Sequence, residues 1–235
     1  ASGISGSPAT GTILNDDSRP TITIAAASAS EGDSLTFVLT LSNPSDETVS
    51  VTASTANGTA TTVDNDYTAI VNQLVAFAGG VTTAQVVVQS TEDPKFEADQ
   101  TFTVVLSGAS NAGGVTGSPA TGTILNDDSR PSIAISGTSA SEGDTLTFNL
   151  SLSNPSDEVV TVLASTADGT ATSADNDFTP ITNQLVSFAA GLTAAQFVVQ
   201  SIEDTKFEAD QEFTVDLGGA TNASGITGSP ATGII

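Results

Sequence analysis

Residues 6–20, GSPATGTILNDDSRP, return unchanged as residues 117–131, and GSPATG begins a third time at Gly228. The chain of 235 residues therefore runs on a spacing of 111, from Gly6 to Gly117 to Gly228. Aligned from Ser18 and Ser129, roughly seven positions in ten are identical, which marks tandem units rather than one large core. Whatever fold this chain takes must close within one period and then repeat. The units read as residues 18–128 and 129–235, with residues 1–17 as the last strand and tail of a preceding unit. Ile235 aligns with Ile13 and Ile124 and stops short of the next LNDD, so the chain reads as a segment of a longer array. The linker through Asp127, Asp128, Ser129 and Arg130 is short, and Pro131 fixes φ at its end, which predicts a semi-rigid rod.

Within one unit the hydrophobic spacing is two. Leu35, Phe37, Leu39 and Leu41 alternate with Thr36, Val38, Thr40 and Ser42, which puts four apolar side chains on one face of a strand. Val49, Val51 and Ala53 follow the same rule, as do Phe102, Val104 and Leu106. Residues 21–24, 73–77, 83–90 and 120–125 supply further strands. Their separators, EGD at Glu31, SNPSDE at Ser42, NGT at Asn57, AGG at Ala78 and SGASNAGG at Ser107, are turn chemistry. About seven short strands and no helical period predict an all-β fold, an antiparallel Greek-key sandwich, twice over.

The charge balance narrows the chemistry. Asp and Glu number 27 against 4 Lys and Arg, with no histidine, for a net charge of −23. Nucleic acid and anionic membrane surfaces are poor partners for such a chain. Cys, Met and Trp are absent from the sequence, which excludes disulfides, thiol nucleophiles and Cys/His zinc sites. Any metal must be bound by oxygen. No apolar run approaches the ~18 residues of a membrane span, so no membrane insertion is expected. Low Lys with abundant Thr, Ser, Gly and Asp matches, by analogy, secreted repeat proteins of bacteria, and an extracellular location is the expectation.

Against that background residues 90–102, STEDPKFEADQTF, stand out with their near-copy at 201–213, SIEDTKFEADQEF. Glu92, Asp93, Glu97 and Asp99 crowd one loop between two strands. Carboxylates this dense repel in a compact fold unless a cation sits among them. Calcium fits, since it takes six to eight oxygens at about 2.3–2.6 Å. Magnesium fits less well because it demands octahedral geometry and keeps its waters. The competing reading is a solvated acidic loop. Lys95 and Lys206, inside these loops, read as charge-neutralising rather than as bases.

The ordered motifs EGD, NGTAT with DNDYT at residues 57–68, F-x-x-G at Phe77, EDPKFEADQTF and ATGTILNDD resemble the Calx-beta domain across essentially the whole unit. The resemblance implies an immunoglobulin-like sandwich with calcium at one end. Carried over by position, the ligands would be Glu31, Asp66, Glu92, Asp93, Glu97, Asp127 and Asp128 in the first unit. In the second they would be Glu142, Asp177, Glu203, Asp204 and Glu208, and Asp16 with Asp17 would be the matching pair of the preceding unit. Two positions depart from the family pattern: Gln100 and Gln211 stand where an acid is usual, and Glu92 and Glu203 where Asp is commoner.

The sequence thus favours a non-enzymatic, calcium-binding structural or adhesive repeat, partnered by neighbouring repeats and by other copies in an array. A regulatory calcium sensor is the alternative. A glycosidase with carboxylates some 5–9.5 Å apart is a third reading, opposed by the lack of Trp and His and by a single Tyr.

Overall fold

The computed structural model describes residues 6, 8 and 10–235. Repeat 1 comprises β1 (Thr21–Ile24), β2 (Ala27–Ser30), β3 (Ser34–Leu41), β4 (Val49–Asn57), β5 (Gln73–Phe77), β6 (Thr83–Gln89), β7 (Gln100–Ser110), β8 (Gly114–Thr116) and β9 (Ala120–Leu125). Repeat 2 comprises β10 (Ser132–Ile135), β11 (Thr138–Ser139), β12 (Thr145–Leu152), β13 (Val160–Ala167), β14 (Gln184–Phe188), β15 (Ala194–Gln200), β16 (Glu212–Thr221), β17 (Gly225–Thr227) and β18 (Ala231–Ile234). No described residue is helical, and no described helix is long and apolar enough to cross a membrane.

Each repeat is a sandwich of a four-stranded and a five-stranded sheet, in the orders β6-β3-β1-β8 and β2-β9-β7-β4-β5 for repeat 1. Repeat 2 follows the same plan, β15-β12-β10-β17 against β11-β18-β16-β13-β14. The alternation read from the sequence is the alternation seen: along β3 every second residue is buried, and Leu35, Phe37 and Leu39 have no exposed surface. Phe77, Phe102, Val49 and Val51 meet them from the facing strands to fill the core. Phe102 lies edge-on to Phe37 and stacks on Tyr67 at 4.4 Å between ring centroids. In repeat 2 Phe213, Phe148 and Phe178 repeat the arrangement.

Two features add to the expected sandwich. The short strands β2 and β8, with their counterparts β11 and β17, raise the count above seven. Each also pairs in parallel, β2 with β9 and β8 with β1, so the sheets are antiparallel apart from these edges. The SGASNAGG stretch, expected as a turn, instead carries the end of β7 through Ser110 and the start of β8 at Gly114, with only residues 111–113 between.

The repeats touch directly. The Phe96 N–H donates to Pro155 O at 3.0 Å and the Asp157 N–H donates to Phe96 O at 3.0 Å, a short parallel bridge across the junction. The segment assigned to a preceding unit falls partly outside the described residues; residues 10–17 are exposed and take no strand partner among them.

Candidate metal centre

Strand direction decides where the acidic residues go. β2, β4, β6 and β9 all end, and β3 and β7 begin, at one end of the repeat 1 sandwich. The EGD turn after β2, the β4–β5 loop, the β6–β7 loop and the tail after β9 therefore share that end, because alternate loops of a sandwich cluster.

Backbone hydrogen bonds sew these segments together. The Glu31 N–H donates to Leu125 O at 3.0 Å, and the Thr91 N–H to Asp66 O at 2.9 Å. Ser90 Oγ donates to Asp33 O at 2.6 Å, and Gln89 Nε2 to Gly32 O at 2.6 Å. Gly32 has φ +76, a backbone conformation that favours glycine, and the turn lies against Glu92, whose Oε2 is 2.7 Å from where a Cβ would sit. Asn126 was not singled out in the sequence, yet it organises the tail: its Oδ1 accepts the Glu97 N–H at 3.0 Å, its own N–H donates to Asp99 Oδ1 at 3.1 Å, and its Nδ2 donates to Asp128 O at 2.9 Å. The signal available was its place in the repeated LNDD.

The structure brings Glu31, Asp127 and Asp128 into one group, with one oxygen of each within 4.8 Å of the others. That separation suits oxygens sharing a calcium-sized ion. Glu31, Asp66 and Glu97 are buried, Asp93 and Asp128 half-buried, and Glu92 and Asp127 exposed at the rim. Asp66 is held from inside its loop, its Oδ2 accepting the Thr61 N–H at 2.6 Å, and Asp93 Oδ1 accepts the Lys95 N–H at 2.7 Å.

Repeat 2 groups Glu142, Asp204 and Glu208, again with oxygens within 4.8 Å. Asp177 is buried beside them, its Oδ2 accepting the Thr172 N–H at 2.7 Å, and Glu203 lies against Gly143. In repeat 2 a cleft of about 590 Å³ is lined by Glu142, Asp177, Lys206, Glu208 and Ile235 among others. Asp16 and Asp17 are exposed and belong to neither group.

The electrostatics are those of negative charge held together. Burial and then the charges of Asp93, Glu97, Asp128 and Glu92 raise Glu31 from its ordinary 4.5 to about 7. Burial likewise raises Asp66, partly offset by the Thr61 N–H, and raises Asp128 together with Asp127 and Asp93. Glu97 is raised by burial against the pull of Lys95. Lys95 pairs with Glu97 and, at 3.2 Å, with Asp157 of repeat 2; burial opposes its charge, but these two carboxylates more than offset that and hold it protonated.

The residues fit a cation on a further observation. Asp128 Oδ2 and Gln100 Oε1 are buried with no hydrogen-bond donor, and the Gln100 amide turns its Nε2 to Glu97. Buried oxygens left without a partner are costly, and a cation among them removes that cost. Gln100 thereby offers a neutral oxygen to the same pocket as Glu31 and Glu97.

Fold and clusters together define a tandem β-sandwich protein with an all-oxygen acidic group at one end of each sandwich. The Calx-beta domain family matches residues 15–129 and again residues 126–232, and the chain belongs to that family. Among solved structures it is similar to CBD12 from CALX1.2, at 20% identity and a TM-score of 0.43 over 85% of this chain and 80% of that one. It is also similar to the calcium binding domain CBD12 of CALX1.1, at 18% identity and a TM-score of 0.44 over 85% and 79%. The apo-form Calx CBD1 domain matches at 23% identity and a TM-score of 0.40, over 47% of this chain and all of that one. No curated protein sequence matches the chain.

Proposed function

We propose that each repeat binds calcium at its acidic end and that the tandem serves as a calcium-stiffened structural or adhesive segment of an extracellular protein, with neighbouring repeats as its partners. What supports this reading is the grouping of Glu31, Asp127 and Asp128, with Asp93 and Glu97 close enough to raise Glu31, together with the donor-less buried oxygens of Asp128 and Gln100. In repeat 1, Glu31, Asp127, Asp128 and the Gln100 amide would hold the ion, and Glu97 would join as Lys95 shifts toward Asp157. The ion supplies only charge compensation and cross-linking of loops. Family membership supports the reading, and the calcium binding domain of CALX1.1 is described by that name.

A ligand bound only by the folded state stabilises by RT ln(1 + [L]/Kd), about 2.7 kcal/mol at a hundredfold excess over Kd. For a domain of this size that corresponds to a melting shift on the order of 10 °C. Scanning calorimetry in millimolar calcium and in chelator measures it directly. Superimposable melting curves in the two conditions would sink the proposal.

A second reading, a calcium-responsive regulatory module, draws on Lys95, whose ammonium pairs at once with Glu97 of the cluster and Asp157 of repeat 2. It requires the angle between repeats to change with calcium. Small-angle scattering profiles that coincide with and without the ion would leave binding intact and remove both the stiffening and the regulatory role.

A further inference from the structure

The four-stranded sheet of repeat 1 ends on β6, which pairs with β3 alone among the described strands. That pairing runs from Ser34 opposite Gln89 to Thr40 opposite Thr83 without a shift in register. At its two ends the Ser90 N–H donates to Asp33 O at 3.2 Å and the Leu41 N–H to Thr82 O at 2.9 Å. In an antiparallel ladder every second residue bonds to the partner, so Thr82, Ala84, Val86, Val88 and Ser90 face β3. Thr83, Gln85 and Val87 therefore turn their N–H and C=O groups outward, where no described strand meets them. The next outward residue, Gln89, is engaged, its C=O accepting the Thr68 N–H at 2.9 Å.

Nothing blunts this edge. Natural sheets protect their edges with charge, Pro, a bulge or a short strand. The other edge strands of repeat 1 are shorter, β8, β2 and β5 having three, four and five residues. β6 has seven, TAQVVVQ, with no charge, Pro or Gly, in a chain of net charge −23. Thr83 and Gln85 are exposed, and Val87 is 48% exposed. The exposure does not come from a missing neighbour. β6 is open with repeat 2 following it, and its counterpart β15 is open with repeat 1 preceding it.

We propose that β6 is a docking edge for β6 of a second copy of this chain, joining the two four-stranded sheets into one. The outward groups fix the register. A two-fold axis at Gln85 sets Gln85 opposite Gln85 and Thr83 opposite Val87, and each pair exchanges two backbone hydrogen bonds. The interface is isologous and closes at the dimer. Thr83 and Val87 are β-branched and suit a pleated surface. β15 has Ala194 in the place of Thr83, and Gln196 Nε2 there donates to Asn149 Oδ1 at 3.1 Å, which makes β6 the better edge. The antiparallel sense also suits the charge. The acidic group lies beyond the Gln89 end of β6, so pairing carries the two groups to opposite ends, more than about 20 Å apart. Charges at that separation are screened, the Debye length being about 8 Å at physiological salt. The contact uses no metal ion, so failure of this proposal and failure of calcium binding are separately visible.

The test uses the full chain, which has no cysteine, so one introduced thiol reports one contact. Gln85→Cys brings two thiols together on the axis, because the Cα atoms of a hydrogen-bonded pair lie about 5.5 Å apart, within disulfide reach. Thr83→Cys sits four residues from its symmetry mate, about 14 Å away. At about 1 mM protein, suited to a small interface, mild oxidation should link Gln85→Cys into dimers and leave Thr83→Cys unlinked. Sedimentation of the parent should show association that stops at the dimer. Gln85→Lys and Gln85→Glu should each weaken it roughly fivefold by setting like charges opposite each other, and an equimolar mixture of the two should restore it. Gln196→Lys, at the matching position of β15, should leave it unchanged. These positions are exposed, and melting should match the parent throughout. A parent that stays monomeric at every concentration, equal cross-linking of the two thiols, a dimer unmoved by the charge swap, or one broken by Gln196→Lys instead, overturns the proposal.

Discussion

Burial and four neighbouring carboxylates raise Glu31 from 4.5 to about 7, so the metal-free fold keeps a proton there that the unfolded chain has already released. The resulting stability is fully present below about 4.5 and is lost as pH climbs through about 7. Asp66, Glu97 and Asp128 are shifted in the same direction and add to the same trend. In chelator the melting temperature should therefore fall from mildly acidic to neutral pH, and calcium should reverse the trend by taking the proton's place. Glu31→Gln separates the two states. It should raise the metal-free melting temperature at neutral pH by roughly 5 °C, having removed a buried charge, and should shrink the calcium-induced shift. A variant less stable than the parent in both conditions would contradict this account. Tyr67 shows how far one residue can be read from its counterpart. Its hydroxyl donates to Asn57 Oδ1 at 2.6 Å, and in repeat 2 both partners change together, to Phe178 and Asp168. The aromatic stack on Phe213 is kept at 4.5 Å without the hydroxyl.

Among the elements, β9 is held to a single arrangement by Gly122. A Cβ at that position would lie 2.6 Å from Phe102 Cζ and 2.8 Å from Phe37 Cζ, and Gly233 meets Phe213 and Phe148 in the same way. Gly122→Ala should cost about 1–3 kcal/mol by overpacking, seen as a lower denaturant midpoint. Because β9 leads directly to Asn126 and Asp128, calcium affinity should drop with it. The β3, β4, β6 and β7 cores were legible in the sequence because large apolar residues alternate with Thr, Ser and Gln. β2 was not, since Ala-Ser-Ala-Ser offers no contrast in size or polarity between its two faces. The end of β7 was hidden by Gly and Ser, read as turn residues; there the pairing with β4 slips between Ser50 and Thr52 and Gly108 takes φ +60, so the strand is irregular. At the site, the acidic residues announced themselves by density. Asn126 carried no charge to attract notice, and its role lies in hydrogen bonds to residues far away in sequence.

Across the whole molecule, the two repeats are coupled through few residues. Arg130 covers Phe96, pairs with Glu158 and reaches Asn222 Oδ1 at 3.4 Å. Arg130→Ala should leave the melting of each repeat within about 0.5 kcal/mol of the parent, as exposed substitutions do. It should nevertheless broaden the distribution of inter-repeat distances in small-angle scattering. An unaltered distribution would show that the Phe96 backbone bridge suffices alone. The parallel pairing of β2 with β9 has a further consequence, in time rather than in space. Ala27 must find Gly122 from almost the opposite end of its repeat, and Asp127 and Asp128 follow only after that strand. Contacts so distant in sequence form late and slowly. An ion gripped by residues beyond the closing strand is bound after the rate-limiting barrier and acts on escape from the folded state rather than on arrival. In stopped-flow experiments, calcium at about a hundred times Kd should slow unfolding on the order of a hundredfold and leave refolding unchanged. A repeat of this kind is slow to make and, once made in the presence of the ion, long-lived.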